Sequence, residues 1–206
     1  MVSSLKNMVL VLATITLISS AAVGGVYLIT AEPIAAAKVA AVNAALEQVL
    51  PDFDNTTSQT IEVNAMPVVA HTATLEGVAV GYAVESISKN GFGGAIRLMV
   101  GFDTNGTILN INVLEQKETP GLGTKMADEG NPLLASLKDK KAAELKLTVR
   151  KDGGDIDALT AATISSRAYA EAVAIASEAF EVAAGWQTTA DDVATGATTQ
   201  EGGINE

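Results

Sequence analysis

The stretch Asp157-Ala158-Leu159-Thr160-Ala161-Ala162-Thr163-Ile164-Ser165-Ser166-Arg167 gathers the groups that hold a phosphate. It follows the turn Lys151-Asp152-Gly153-Gly154 and runs into a helical pattern, so Thr163 falls at a helix amino terminus. Such an end offers unpaired backbone N–H groups and about half a positive charge, which suits an anion. Arg167 follows one turn later and could bring a guanidinium to the same anion. The chemistry implied is a phosphate or phosphoester site. Thr and Ser are also ordinary helix caps, and on spacing alone capping is the simpler explanation.

Two further segments carry chemical potential. Glu118-Thr119-Pro120-Gly121-Leu122-Gly123 contains a Pro-Gly pair suited to the centre of a type II turn. Lys89-Asn90-Gly91-Phe92-Gly93-Gly94 is a glycine-rich turn, a common feature by itself. The single histidine, His71, lies among Val68, Val69, Thr72 and Thr74, the texture of a strand, and is assigned no role.

The elements that must position these segments read as an antiparallel sheet with packed helices, of α+β class. Short β-branched runs are predicted as strands over Ile61–Ala65, Val68–Leu75 and Val78–Ile87, after a polar, turn-rich stretch from Asp52 to Gln59. A hairpin joins Ile96–Phe102 to Ile108–Leu114 across Asp103-Thr104-Asn105-Gly106, with Asn-Gly supplying positive φ. A helix is expected around Leu133–Glu144 and a strand over Leu145–Arg150. The last helix starts near Thr163, keeps Ile164, Ala168, Ala172, Ile175, Ala179 and Ala183 on one side, and ends at Gly185. From Trp186 to Glu206 large apolar residues are few, which predicts a mobile acidic tail.

Ahead of the sheet, Met8–Thr30 contains no charge and is long enough, at about 20 residues, to cross the hydrocarbon layer as one helix. A cleaved signal peptide is the competing reading, with small residues at Ala35–Ala37, but its apolar region normally runs only about 7 to 15 residues. Lys6 before the span and Glu32 after it place the amino terminus in the cytoplasm and the rest of the chain outside. Past Pro33, the spacing of Ile34, Val39, Val42, Leu46 and Val49 predicts an amphipathic helix continuing from the anchor and stopped by Pro51. The expected domains are residues 1–7 in the cytoplasm, 8–30 in the membrane, 31–57 as helix and linker, 58–185 as the folded domain and 186–206 as the tail.

Composition removes several classes of function. Thirteen Lys and Arg against 24 Asp and Glu give a net charge of -11, which repels nucleic acid. With no cysteine and one histidine, the chain cannot build an iron–sulfur cluster, an ordinary zinc site or a bis-histidine haem by itself. Any electron it carries needs an organic cofactor.

The segment ending in Thr163 resembles the Ser/Thr-Gly-Ala-Thr signature of the FMN-binding domain family. That family includes the G subunit of Rnf complexes and the C subunit of sodium-translocating NADH:quinone reductases. The resemblance implies that Thr163 is esterified by the FMN phosphate, a bond installed by a flavin transferase using FAD and magnesium. Asp157, Thr160 and Ser165 fall where the family has them, while Ala161 replaces the usual glycine. All six residues of Glu118–Gly123 match a family loop that borders the flavin. There Gly121 and Gly123 would admit backbone amides, while Thr119 and Leu122 would give a hydrogen bond and an apolar wall. The turn holding Gly93 resembles the family's glycine-rich turn.

The resemblance further implies a relay subunit with covalent FMN between ferredoxin and NAD branches. It would sit in a single-pass, inner-membrane Rnf assembly that couples electron flow to ion translocation, rather than act as a stand-alone enzyme. The quinone reductase C subunit and a cofactor-free, single-span structural subunit are the alternatives.

Overall fold

A computed structural model describes residues 5–186. The chain divides into two units, residues 1–43 and 44–206, and each is described by itself.

The first unit is helix. Helix α1, Leu5–Val49, runs on through Pro33, and its first part is long and apolar enough to cross a membrane. The hydroxyls of Thr14, Thr16 and Thr30 donate to carbonyls four residues back at 2.8, 2.9 and 2.9 Å. In an apolar setting that local bond removes the penalty of an unpaired hydroxyl.

The second unit is a five-stranded antiparallel meander, β1 (Asn55–Val63), β2 (Met66–Leu75), β3 (Val78–Ser88), β4 (Ile96–Phe102) and β5 (Ile108–Glu115), neighbours in chain order throughout. Two-residue turns join the first three strands: Asn64 and Ala65, then Glu76 and Gly77, all have positive φ, as the twist of a tight hairpin requires. In the β4–β5 connection only Gly106 takes positive φ. The Asn-Gly pair therefore contributes one left-handed residue, and the Asp103 carboxylate secures the turn by accepting from the amides of Asn105 (2.8 Å) and Thr107 (2.7 Å).

Helix α3, Thr163–Ala183, packs across the sheet and buries Ala168, Ala172, Ile175, Ala179 and Phe180 against Val84, Leu98, Val100 and Phe102. Its alanines let the backbone approach the strands closely, and the Phe180 ring stacks on Phe102 with centroids 4.8 Å apart. On the opposite sheet face lies the last turn of α1. There the Val49 carbonyl comes so near Gly101 that a Cβ at that position would sit 2.0 Å from it.

Four expectations are corrected. Strand β1 begins at Asn55, inside the stretch expected to be turn, because Thr56, Thr57 and Thr60 are β-branched and pair in register with β2 (Thr57 with Thr72). The helix expected over Leu133–Glu144 is α2, Pro132–Leu137, plus a short 3-10 turn at Ala142–Glu144. Between them the chain turns at Asp139, whose φ is 60°, and docks on the start of β5: Ile108 donates to the Lys140 carbonyl (2.9 Å) and Asp139 to that of Ile108 (2.8 Å). Leu145–Arg150 is not a strand. Val149 makes only an isolated bridge to Ile156, because this segment folds back on Asp155 and Ile156 rather than joining the sheet. Finally, Trp186 packs edge-on against Phe180 at 5.1 Å instead of opening the tail, whose remaining residues, 187–206, lie outside those described.

Candidate functional site

A cleft of about 540 Å³ opens at the amino terminus of α3, within the range of small-ligand sites. It is lined by Phe92 from the glycine-rich turn, by Thr119, Leu122 and Gly123 from the Pro-Gly loop, and by Ala161–Ser165 from the helix entrance. The three segments singled out in the sequence thus meet at one place.

Thr163 is the first residue of α3 and is half-buried in the cleft wall. The residue before it, Ala162, provides no side-chain cap, so the capping explanation of these hydroxyls fails. Those of Ser165 and Ser166 are occupied elsewhere. Ser166 donates to the Ala162 carbonyl at 2.9 Å and accepts from the Leu159 amide at 2.9 Å, tying the entry loop to the helix. Ser165 is buried and donates to the Glu118 carboxylate at 2.5 Å. The helix end therefore presents its dipole and first amides toward the cleft without a capping side chain.

Glu118, 5 % exposed, is the hinge of the arrangement. One carboxylate oxygen takes the Ser165 hydroxyl and the other the Gly93 amide at 2.9 Å, so a single side chain fixes all three segments. Close packing requires the glycines: a Cβ at Gly93 would lie 1.7 Å from the Lys117 carbonyl oxygen, and one at Gly123 would lie 2.7 Å from both Glu118 and Ser165. Thr119 and Gly121 build the loop as a type II turn, with Gly121 at φ 75° and the Leu122 amide donating to the Thr119 carbonyl at 3.1 Å.

Of the six expected residues outside the lining, Glu118, Gly93 and Gly121 build the loops behind it, and three stand apart. Arg167 lies one turn from Thr163, but its guanidinium is held bidentately by Asp152 at 2.7 and 2.8 Å. This pairing raises the Arg167 pKa and keeps the Asp152 carboxyl below its ordinary range. Asp157 accepts from Arg150 at 2.7 Å, and Thr160 is exposed in the turn before the helix. The sequence reading in turn missed two walls. Ile164, read as part of the apolar side of the last helix, is 48 % exposed in the cleft, and Phe92, 68 % exposed, is an aromatic ring within a glycine turn. That placement of an aromatic was the signal available.

The arrangement suits a ligand with an anionic end and a flat apolar body. An uncapped helix terminus would meet a phosphate, Thr163 offers a hydroxyl beside it, and Phe92, Leu122 and Ile164 form apolar walls for a ring system. FMN has both parts, so the residues present fit it.

Residues 91–178 match the FMN-binding domain family, and this interval contains every residue that lines the cleft. The fold and site thus define the chain's class as a protein with an FMN-binding domain. A Vibrio vulnificus protein, named as the G subunit of an ion-translocating oxidoreductase complex, is 42 % identical over 112 residues, which span 53 % of this chain and 52 % of that relative. Its namesake in Vibrio atlanticus is 35 % identical over 187 residues, covering 84 % of this chain and 88 % of the relative. That of Shewanella baltica is 40 % identical over 110 residues, 52 % of each. The chain belongs to this family, the G subunits of ion-translocating oxidoreductase complexes.

Proposed function

We propose that the chain carries FMN covalently, through a phosphoester to the Thr163 hydroxyl, and serves as an electron relay in a membrane-bound, ion-translocating assembly. The single observation that carries this reading is the uncapped start of α3, with Thr163 as its first residue, facing a cleft walled by Phe92, Leu122 and Ile164.

When bound, FMN supplies passage between one-electron and two-electron carriers. The chain's own residues attach, orient and shield it. The amides at the start of α3 stabilise negative charge beside Thr163. Glu118 ties its own loop to the Gly93 turn and to Ser165 at the start of α3. The apolar side chains exclude water from the ring.

Family membership supports partners among the other subunits of such an assembly; this reading adds a flavin transferase during maturation and electron flow between ferredoxin and NAD branches. In this reading α1 is a single inner-membrane span. Lys6 and Glu32 orient it with the amino terminus in the cytoplasm and the FMN domain on the outer side. The span has no acidic, basic or histidine side chain from Met8 to Ala31, so ion transfer falls to neighbouring subunits.

Co-expression with a flavin transferase tests the attachment. The expected outcome is a fluorescent band after denaturing electrophoresis and a chain heavier by FMN less one water, both lost in Thr163→Ala. A band that persists in that variant moves the ester to Thr160 or Ser165. An unmodified chain beside an active transferase overturns the reading in favour of a cofactor-free subunit.

A further inference from the structure

Where the glycine-rich turn leaves β3 it is fastened to α3 by a carboxylate that none of the sequence motifs includes. Ser88 donates its hydroxyl to one oxygen of Glu171 at 2.6 Å. The Asn90 side-chain amide donates to both oxygens of Glu171, at 3.0 and 2.9 Å. The Asn90 backbone amide closes the knot on the Ser88 hydroxyl at 3.2 Å. Glu171 lies two turns along α3 from Thr163, so the helix that presents the hydroxyl also holds the opposing loop.

Past Asn90 the chain passes through Phe92, a cleft wall, to Gly93, whose amide is taken by Glu118. Residues 90–93 are therefore slung between two carboxylates, Glu171 at one end and Glu118 at the other. Phe92 is 68 % exposed and has little packing of its own, so its position is set by the Asn90 side-chain anchor and the Gly93 backbone anchor. Bonds to an ionised carboxylate are the stronger kind, and two of the three on Glu171 come from one planar amide that fixes its direction.

We propose that Glu171 is a positioning residue for the flavin cleft: by holding Ser88 and Asn90 it fixes Phe92 against the ring and limits the water reaching it. The proposal rests on the reading of the cleft as an FMN site. Thr163 and the tether both belong to α3, so one helix sets the separation between the helix-start wall and the turn holding Phe92.

The test uses the full chain carrying flavin and compares Glu171→Ala, Asn90→Ala and Glu171→Gln with Glu178→Ala. Glu178 is a second α3 carboxylate, bonded to Asn64 at 3.1 Å and not among the residues lining the cleft. Iodide quenching of flavin fluorescence and the flavin midpoint potential read the cleft, and hydrogen exchange of residues 90–94 reads the loop. Glu171→Ala and Asn90→Ala are expected to raise the quenching constant, shift the potential and speed loop exchange about tenfold, the effect of one lost charge-assisted bond. Glu171→Gln keeps an acceptor and falls between them and the parent. Glu178→Ala leaves all three unchanged.

The proposal is overturned if Glu171→Ala matches Glu178→Ala in quenching and potential. A parent chain without flavin sinks the functional reading instead. In that case loop exchange, measured on the bare chain, still decides whether Glu171 holds the turn, and equal rates in Glu171→Ala and the parent overturn it.

Discussion

Two polar clusters, one on the sheet face away from α3 and one at the start of α3, are built differently. On the face away from α3, Ser58, His71, Glu85 and Arg97 form a ladder across four strands: Ser58 to His71 at 2.9 Å, His71 to Glu85 at 3.0 Å and Arg97 to Glu85 at 2.8 Å. Both nitrogens of His71 and both oxygens of Glu85 are engaged. At the start of α3, by contrast, Glu118 satisfies its neighbours while the helix end itself is left without a side-chain cap. The difference separates structure from function. A cluster that closes on itself holds strands in register, whereas one that leaves donors facing a cleft has capacity for a ligand.

The sharpest way to break this contrast is to remove Glu118. Glu118→Ala leaves the buried Ser165 hydroxyl and the Gly93 amide without their acceptor, at about 1–3 kcal/mol for each unpaired group. The expected result is a fall in unfolding free energy of about 2–5 kcal/mol together with loss of most flavin loading. Denaturant titration and in-gel flavin fluorescence measure the two. Full loading in a destabilised protein would make the Glu118 cluster as structural as the ladder.

The ladder should give the opposite pattern. The hydrogen bond from His71, ahead of the opposing cost of burial and with Arg97 assisting, holds the Glu85 pKa below its ordinary value of 4.5. A carboxyl whose folded pKa is depressed contributes stability that is present above about 4.5 and lost as pH falls through the lower, folded value. Glu85→Gln is expected to cost about 1 kcal/mol at neutral pH, discounted because the side chain is only partly buried, with 14 % of its area exposed. It should also flatten the acid limb of the stability curve below 4.5, with flavin loading unchanged. Unfolding midpoints from pH about 3 to 7 test this, and an unaltered acid limb would remove the ladder's claim to a structural role.

What the sequence disclosed follows the same division between local and distant causes. The Thr163 helix start, the Pro120-Gly121 turn and the β4–β5 hairpin depend on neighbouring residues, and all three lie where local pattern puts them. Arg167 shows the limit. Its spacing from Thr163 suggests a shared anion, but its partner Asp152 lies fifteen residues back in a loop whose path no periodicity reveals. Ile164 fits the apolar stripe of α3, yet it sits in the first turn beside the Thr119–Gly123 loop, so its side chain faces the cleft rather than the core. The ladder was invisible because hydrogen bonds between strands require the register, and β1 itself starts six residues earlier than its apolar pattern.

The smallest expected effect bears on Ala161, the one departure from the glycine of the family signature. The structure gives Ala161 a φ of 60°, the left-handed region in which a Cβ is strained by roughly 1–2 kcal/mol. Ala161→Gly relieves that strain but adds freedom to the unfolded chain, worth about 0.4–1 kcal/mol in the other direction. The net expectation is stabilisation by about 0.5 kcal/mol, with flavin loading retained because Ala161 contributes only a methyl group to the cleft lining. Paired denaturant curves on the full chain resolve a change of this size when the slopes are equal. A loss of stability would mean that the methyl group packs usefully beside Thr163, making the entrance to α3 a fitted wall rather than a strained turn.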